Sequence, residues 1–308
     1  MRILFPIFIY LASIFDTNLS TDRSSTKKIG VIASGSLESI GIQLANNLDI
    51  PFLTQGEATG HSHVIDVVPI DIENIPTFAI GLRSMKSLCK KSKRQPRQRS
   101  FFVDFGSVRT KLMNRINGNV PDLLIKAVAP KKISGGAIIY DLTAGFGQDS
   151  FLLALAGASK VCMVERDPIV ATLLQDGLRR LSIYEHATND VISFSDRISL
   201  EVGDGTLVAK SLSPDLLPHV TYLDPMFPPR TKSAAVKKNM QLLHGILESQ
   251  HLVDTEETSS QEVKLLKEAL RISKTRVVVK RPIHAPPMAA STCKPSYDIR
   301  GSTNRWDV

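Results

Sequence analysis

Several stretches of the 308-residue chain carry side chains whose types and spacing could do chemistry. The first is Tyr140-Asp-Leu-Thr-Ala-Gly-Phe-Gly-Gln-Asp149. Gly145 and Gly147 let the backbone turn sharply and approach a ligand closely, where a side chain would block it. A third glycine in GxGxxG register would fall at Ser150, so this is not a dinucleotide fingerprint. No Gly-Lys-Ser/Thr follows, so it is not a phosphate loop either. Eighteen residues past Gly147 the next apolar run ends at Glu165. A carboxylate there can accept hydrogen bonds from both hydroxyls of an adenosine ribose. Asp141 before the loop, the two glycines within it and Glu165 after the following strand suit S-adenosylmethionine better than a nucleotide. A third strand end, Gly203-Asp204-Gly205-Thr206, offers polar groups for the adenine.

Tyr222-Leu-Asp-Pro-Met-Phe-Pro-Pro229 supplies the reaction. Asp or Asn followed by prolines and an aromatic residue at this position marks methyl transfer to an amino group. The lone pair of an exocyclic amino group is delocalised into its ring and is a poor nucleophile. The site must therefore accept the N–H hydrogen bonds, here at Asp224 and the carbonyl of Pro225, and aim the lone pair at the sulfonium methyl. Phe227 can stack on a base that has been turned out or lies in a single strand. Transfer from a cationic donor leaves an acidic ammonium, so no strong general base is required. The plain alternative, in which Asp-Pro ends a strand and Phe227 is core, leaves the upstream loop unexplained.

These residues need strand ends to hold them, and the apolar pattern provides them. Strands are predicted over 137–142, 160–165, 198–202, 219–223 and 275–280, and helices over 121–129, 149–156, 168–181, 234–248 and 262–272, with 250–261 as a polar loop. Alternating strands and helices imply a doubly wound parallel sheet, an α/β Rossmann-like domain over 109–308. Ligands of such sheets bind beyond the carboxyl ends of the strands. Upstream, strands over 28–33, 64–70, 78–82 and 101–105 with a helix over 37–48 predict a small α/β domain spanning 27–108. His61 and His63 have no third ligand nearby and read as surface histidines, so no metal is expected.

Charge adds a partner class. The chain has 38 Lys+Arg against 30 Asp+Glu, a net charge of +8. Arg83, Lys86, Lys90, Lys91, Lys93, Arg94, Arg97 and Arg99 match that whole excess, with no acid among them. A basic hairpin reaching from the small domain fits a polyanion such as RNA. Cys89, Cys162 and Cys293 fit neither a disulfide framework nor a metal pair and point to a reducing compartment. Ile3 to Phe15 is apolar but shorter than the roughly 20 residues of a membrane span. Followed by the Ser/Thr-rich, basic stretch Thr17 to Lys28, it reads as a targeting leader over residues 1–26, leaving no membrane span in the mature chain.

Asp224-Pro-Met-Phe-Pro228, with Met in place of the usual second proline, narrows the field further. Together with Asp141-x-Thr-Ala-Gly-x-Gly-x-Asp149, Val164-Glu-Arg-Asp-Pro168, Lys232-Ser-Ala-x-Val-Lys-Lys238 and Val277-Val-Val-Lys-Arg-Pro282, it resembles the RsmJ family, bacterial-type guanine-N2 methyltransferases of small-subunit (16S) ribosomal RNA. The resemblance runs from about Phe101 to Pro287. It implies a class I methyltransferase fold, S-adenosylmethionine as donor, and small-subunit rRNA or the ribosomal small subunit as partner. It also implies cofactor contacts at Gln148, Asp149, Glu165, Arg166, Gly205, Thr206 and Asp224.

The chain departs from the family pattern at Gln148, where bacterial members carry Arg, and at Gly205-Thr206, where they carry two serines. The leader and the longer basic hairpin are further departures, and an organelle with bacterial-type ribosomes, a plastid first, would account for the leader. Arg94 and Arg97 on the arm, Arg109, Lys111 and Arg115 beside Asn117-Gly-Asn119, and Lys232, Lys237, Lys238, Lys280 and Arg281 near the strand ends are candidate phosphate contacts. The residues themselves argue only for amino-group methylation. A DNA adenine or protein glutamine as acceptor, or a silent RNA-binding assembly factor, are the competing readings.

Overall fold

The computed structural model describes residues 29–85, 100–190, 192–225, 255–290 and 293–308. By their contacts these fall into two compact units. One holds the described residues up to Val103 together with Pro168–Arg180, and the other holds the remainder.

In the first unit β1 (Ile29–Ala33) is followed by α1 (Glu38–Leu48), β2 (His63–Ile72) and β3 (Ile75–Ser84). The β-branched run of β1 pairs parallel with β2, which requires the α1 crossover, and β2 pairs antiparallel with β3. Glu73 and Asn74 close that hairpin with φ of 48° and 66°. Two consecutive left-handed residues make the turn whose twist matches the flanking strands.

Phe101 pairs with Leu82 through two 2.8 Å backbone hydrogen bonds, so the chain returns to the edge of β3. The strand expected over 101–105 reduces to that single bridge. Asp104 instead accepts the Ser107 N–H and caps a helix starting at Phe105. Arg83, counted with the basic arm, lies in β3 and pairs with Asp66 at 2.8 Å. His63, expected at the surface, is 3% exposed in β2. Residues 86–99, including Arg94 and Arg97, and the leader lie outside the described residues.

A buried ionic knot ties the middle of α5 (Pro168–Ala187) to β3. Asp176 accepts from Arg179 at 2.7 Å, from Arg180 at 2.8 Å and from the Ile80 N–H at 3.0 Å. Arg179 also stacks over the Phe78 ring at 4.1 Å, and Arg180 donates to the Val103 carbonyl. The two arginines neutralise a carboxylate that would otherwise be costly to bury.

The second unit is built on a seven-stranded sheet. Its strands are β4 (Ile138–Asp141), β5 (Lys160–Glu165), β6 (Ile198–Val202), β7 (Val220–Leu223), β8 (Arg276–Pro282), β9 (Asp298–Arg300) and β10 (Asn304–Asp307), in the order β6-β5-β4-β7-β8-β10-β9. The first five are parallel, and β10 runs antiparallel to both its neighbours. Strand order reverses between β4 and β7, so the site expected of such sheets lies at their carboxyl ends.

Strand alternation sends Tyr140, Cys162, Val164, Leu223, Val277 and Val279 into a core with α6 (Gly205–Ser211) and α7 (Thr255–Ile272). On the other side Phe105 of α2 (Phe105–Asn117) meets Phe151 of α4 (Gln148–Leu155), with ring centroids 4.9 Å apart. A short α3 (Leu123–Val128), capped by Asp122, precedes β4.

The polar loop expected over 250–261 is helical from Thr255. The helix expected over 234–248 lies outside the described residues.

Candidate active site

The loop after β4 is shaped by a buried carboxylate. Asp141, 1% exposed, accepts the Thr143 N–H at 3.1 Å and the Ser150 hydroxyl at 2.5 Å, and burial pushes its pKa up to about 7. Ser150, at the place of the absent third glycine, therefore has a structural task. Asp141 braces the loop from beneath; expected to contact the cofactor, it is instead buried, with its oxygens turned to Thr143 and Ser150 of the protein. Gly145 and Gly147 take φ of 54° and 70°, left-handed conformations that a side chain would strain. Gly147 caps α4, leaving Gln148 exposed at the rim and Asp149 in the first helical turn.

Glu165, at the end of β5, reaches back to this loop. Its Oε2 accepts the Gly145 N–H and its Oε1 the Asp167 N–H, each at 2.8 Å. One bond per oxygen leaves each a lone pair for a ribose hydroxyl. Burial raises the Glu165 pKa to about 7 against those hydrogen bonds. Arg166 is exposed beside it. After β6, Asp204 caps α6 by accepting the Thr206 and Leu207 N–H groups, so the Thr206 amide offered to the cofactor is already engaged. A Cβ at Gly205 would lie 2.6 Å from the Leu142 carbonyl, so glycine there lets α6 approach the loop.

Asp224 follows β7. Its N–H donates to Thr143 Oγ1 at 2.6 Å, which joins the end of β7 to the glycine loop. The Lys280 ammonium, from β8, donates at 2.7 Å to Asp224 Oδ2 and at 2.8 Å to Asp149 Oδ2, and Tyr222 donates its hydroxyl to the same Asp149 oxygen at 2.8 Å. Burial raises the pKa of Asp224 despite Lys280. At Asp149 burial is outweighed by the Lys280 charge and the Lys280 and Tyr222 hydrogen bonds, and its carboxyl sits below the ordinary range. Burial opposes the Lys280 charge, but the two carboxylates prevail and hold it firmly protonated.

Lys280, expected among the RNA phosphate contacts, is thus engaged by Asp224 and Asp149 at the candidate site. Strand register is the signal that would have found it. Leu223 pairs with Val279, so the next residues, Asp224 and Lys280, emerge side by side. Thr143 and Tyr222 were missed because only the folded register shows their partners.

Arg281 also leaves the RNA set. It is 3% exposed, pairs with Glu262 at 2.9 Å and donates to the Pro286 carbonyl, which makes it a brace between β8 and α7. Arg109 pairs with Asp190 and lies over the Phe194 ring at 5.0 Å, and Arg115 pairs with Asp122 at 2.7 Å. Lys111 is exposed on α2. Pro225 is partly buried after Asp224. Phe227, Lys232, Lys237 and Lys238 lie outside the described residues.

The glycine loop, the Glu165 carboxylate and Asp224 therefore converge at one end of the sheet, an arrangement that fits S-adenosylmethionine. Comparisons agree. Residues 70–308 match a family described as "Putative SAM-dependent methyltransferase". A crystal structure of the SAM-dependent methyltransferase NGO1261 from Neisseria gonorrhoeae superposes with a TM-score of 0.61 at 26% identity, covering 90% of this chain and 94% of that one. Proteins named ribosomal RNA small subunit methyltransferase J are similar at 38% identity in Pseudoalteromonas atlantica, over 76% of this chain and 86% of the relative, and at 35% in Aeromonas hydrophila, over 76% and 87%. With this Rossmann-like class I fold and this site, the chain belongs to the ribosomal RNA small subunit methyltransferase J family of S-adenosylmethionine-dependent methyltransferases.

Proposed function

We propose that this protein transfers a methyl group from S-adenosylmethionine to the exocyclic N2 amino group of a guanosine in small-subunit ribosomal RNA. The observation that carries the reading is the placement of Asp224, whose backbone is fixed by Thr143 and whose Oδ2 is fixed by Lys280. With Oδ2 so occupied, Oδ1 is the oxygen that accepts an N–H of the amino group. That hydrogen bond orients the nitrogen lone pair, which is most of the work such a reaction requires. The Gly145–Gly147 loop and Glu165 would hold the cofactor, which supplies an electrophilic methyl on a cationic sulfur. Lys280 keeps Asp224 in its acceptor form despite burial. The relatives named ribosomal RNA small subunit methyltransferase J support an rRNA acceptor, and the family resemblance supports guanine N2. The leader-like composition of residues 1–26 supports action in an organelle with bacterial-type ribosomes.

The test is incubation of small-subunit rRNA, free and assembled, with labelled S-adenosylmethionine, followed by nucleoside analysis. N2-methylguanosine is the expected product. Label in protein, or in another nucleoside, overturns the reading.

A further inference from the structure

A concavity lies at the carboxyl end of the parallel strands, the end that carries Asp224. It is a cleft of about 560 Å³, lined by the loop that joins α2 to α3 and by the turn between β9 and β10. Register places it beside the reacting centre, because Trp306, in its wall, is the cross-strand partner of Lys280. Directly opposed residues project to the same sheet face with Cβ atoms about 4.5–5.5 Å apart. From the opposite wall Arg115 adds to the field that depresses the Asp149 pKa.

The lining has a distinct chemistry. Its only charged side chains among the described residues, Arg115 and Asp122, are paired with each other, so the cleft is formally neutral. A neutral cleft is a poor phosphate site. Asn114, Asn119 and Asn304 contribute amides, each of which both donates and accepts, and the indole of Trp306 contributes an aromatic surface. Aromatic surface plus amides is the set that recognises an unpaired base by stacking and by its polar edge. The volume falls within the roughly 300–1,000 Å³ of ligand sites.

We propose that this cleft receives the base of the acceptor nucleoside, with Trp306 as its wall and the amides of Asn114, Asn119 and Asn304 reading its edge. The assignment rests on the activity proposed above. It gives that reaction a selectivity element separate from Asp224. Asp224 accepts from the amino group, and the cleft decides which base presents one.

Two measurements on the full chain test it. In steady-state methylation of small-subunit rRNA, Asn119→Ala and Asn304→Ala are expected to raise the RNA KM by about tenfold each, with kcat at saturating RNA and the affinity for S-adenosylhomocysteine unchanged. An unchanged RNA KM in both variants overturns the proposal. Trp306 is the chain's one tryptophan, so its emission reports both folding of each variant and occupancy of the cleft. Should a variant misfold, titration of the wild-type protein with guanosine monophosphate decides instead. Saturable quenching that rRNA competes away supports the cleft, and its absence overturns it. Wild-type protein that labels no rRNA sinks the activity reading, whereas the guanosine monophosphate titration still judges the cleft.

Discussion

Lys280 donates to Asp224 at 2.7 Å and to Asp149 at 2.8 Å, so one ammonium spans the gap between the end of β7 and the helix that follows the glycine loop. Removing it leaves two neighbouring carboxylates in a buried site, and one of them then takes up a proton. Lys280→Met is expected to lower kcat about a hundredfold, a loss typical of removing one preorganised charge. Its rate should also rise with pH more steeply than that of wild type, because Asp224 now titrates higher. Lys280→Arg should recover part of the rate. A phosphate-binding lysine would instead raise the RNA KM and reduce its salt dependence, and steady-state kinetics at several salt concentrations separate the two roles.

Asp224→Ala is expected to abolish methyl transfer while RNA binding, measured by filter retention or gel shift, stays within about threefold of wild type. Unchanged turnover would refute the role given to its carboxylate.

Glu165 links cofactor binding to pH. Its pKa is raised from the ordinary 4.5 to about 7, chiefly by burial. Ribose hydroxyls donate to the carboxylate, so the ionised form is the binding form. Affinity for S-adenosylhomocysteine should therefore rise as pH increases through about 7, and Glu165→Gln should flatten that rise in a calorimetric titration. For stability the sign is opposite. The native state holds this proton more tightly than the unfolded chain, so the contribution is fully present below about pH 4.5 and is lost as pH climbs through 7.

The Asp176 knot predicts a stability effect remote from the chemistry. Asp176→Ala strips the partner from two arginines and from the Ile80 N–H. Breaking a buried pair in this way costs about 3–5 kcal/mol, which thermal denaturation would register as a clear fall in Tm.

The basic segment predicts a binding effect. Replacing Lys86, Lys90, Lys91, Lys93, Arg94, Arg97 and Arg99 with glutamine should weaken rRNA affinity and flatten its dependence on salt, with cofactor affinity unaffected. Arg83 is left out, because it is committed to Asp66.

The strand ends and the glycine loop were legible because their signals are local. Glycines, a strand-end acid and an Asp-Pro pair each announce themselves within a few residues, and β5 begins and ends where the apolar run Lys160 to Glu165 does. Errors fell where partners are distant in sequence. The charges of Lys280 and Arg281 suggested RNA, yet one is claimed by Asp149 and Asp224 and the other by Glu262. Phe101 to Phe105 is aromatic and β-branched as a strand should be, but the capping signal Asp104-x-x-Ser107 prevailed. The strands β9 and β10 were too short, at Asp298–Arg300 and Asn304–Asp307, to show a periodicity.

The placement of β10 between β8 and β9 has a bearing on how the molecule is made. During vectorial synthesis β9 emerges before the strand it pairs with, so it has no place in the sheet until Asn304–Asp307 arrives. The donor side of the site, from β4 to β7, is complete in sequence by Asp224, while the Trp306 wall comes some eighty residues later. The residues proposed to hold the donor thus precede in the chain Asn304 and Trp306, proposed to choose the acceptor, although Lys280, which ties Asp149 to Asp224, comes between the two sets.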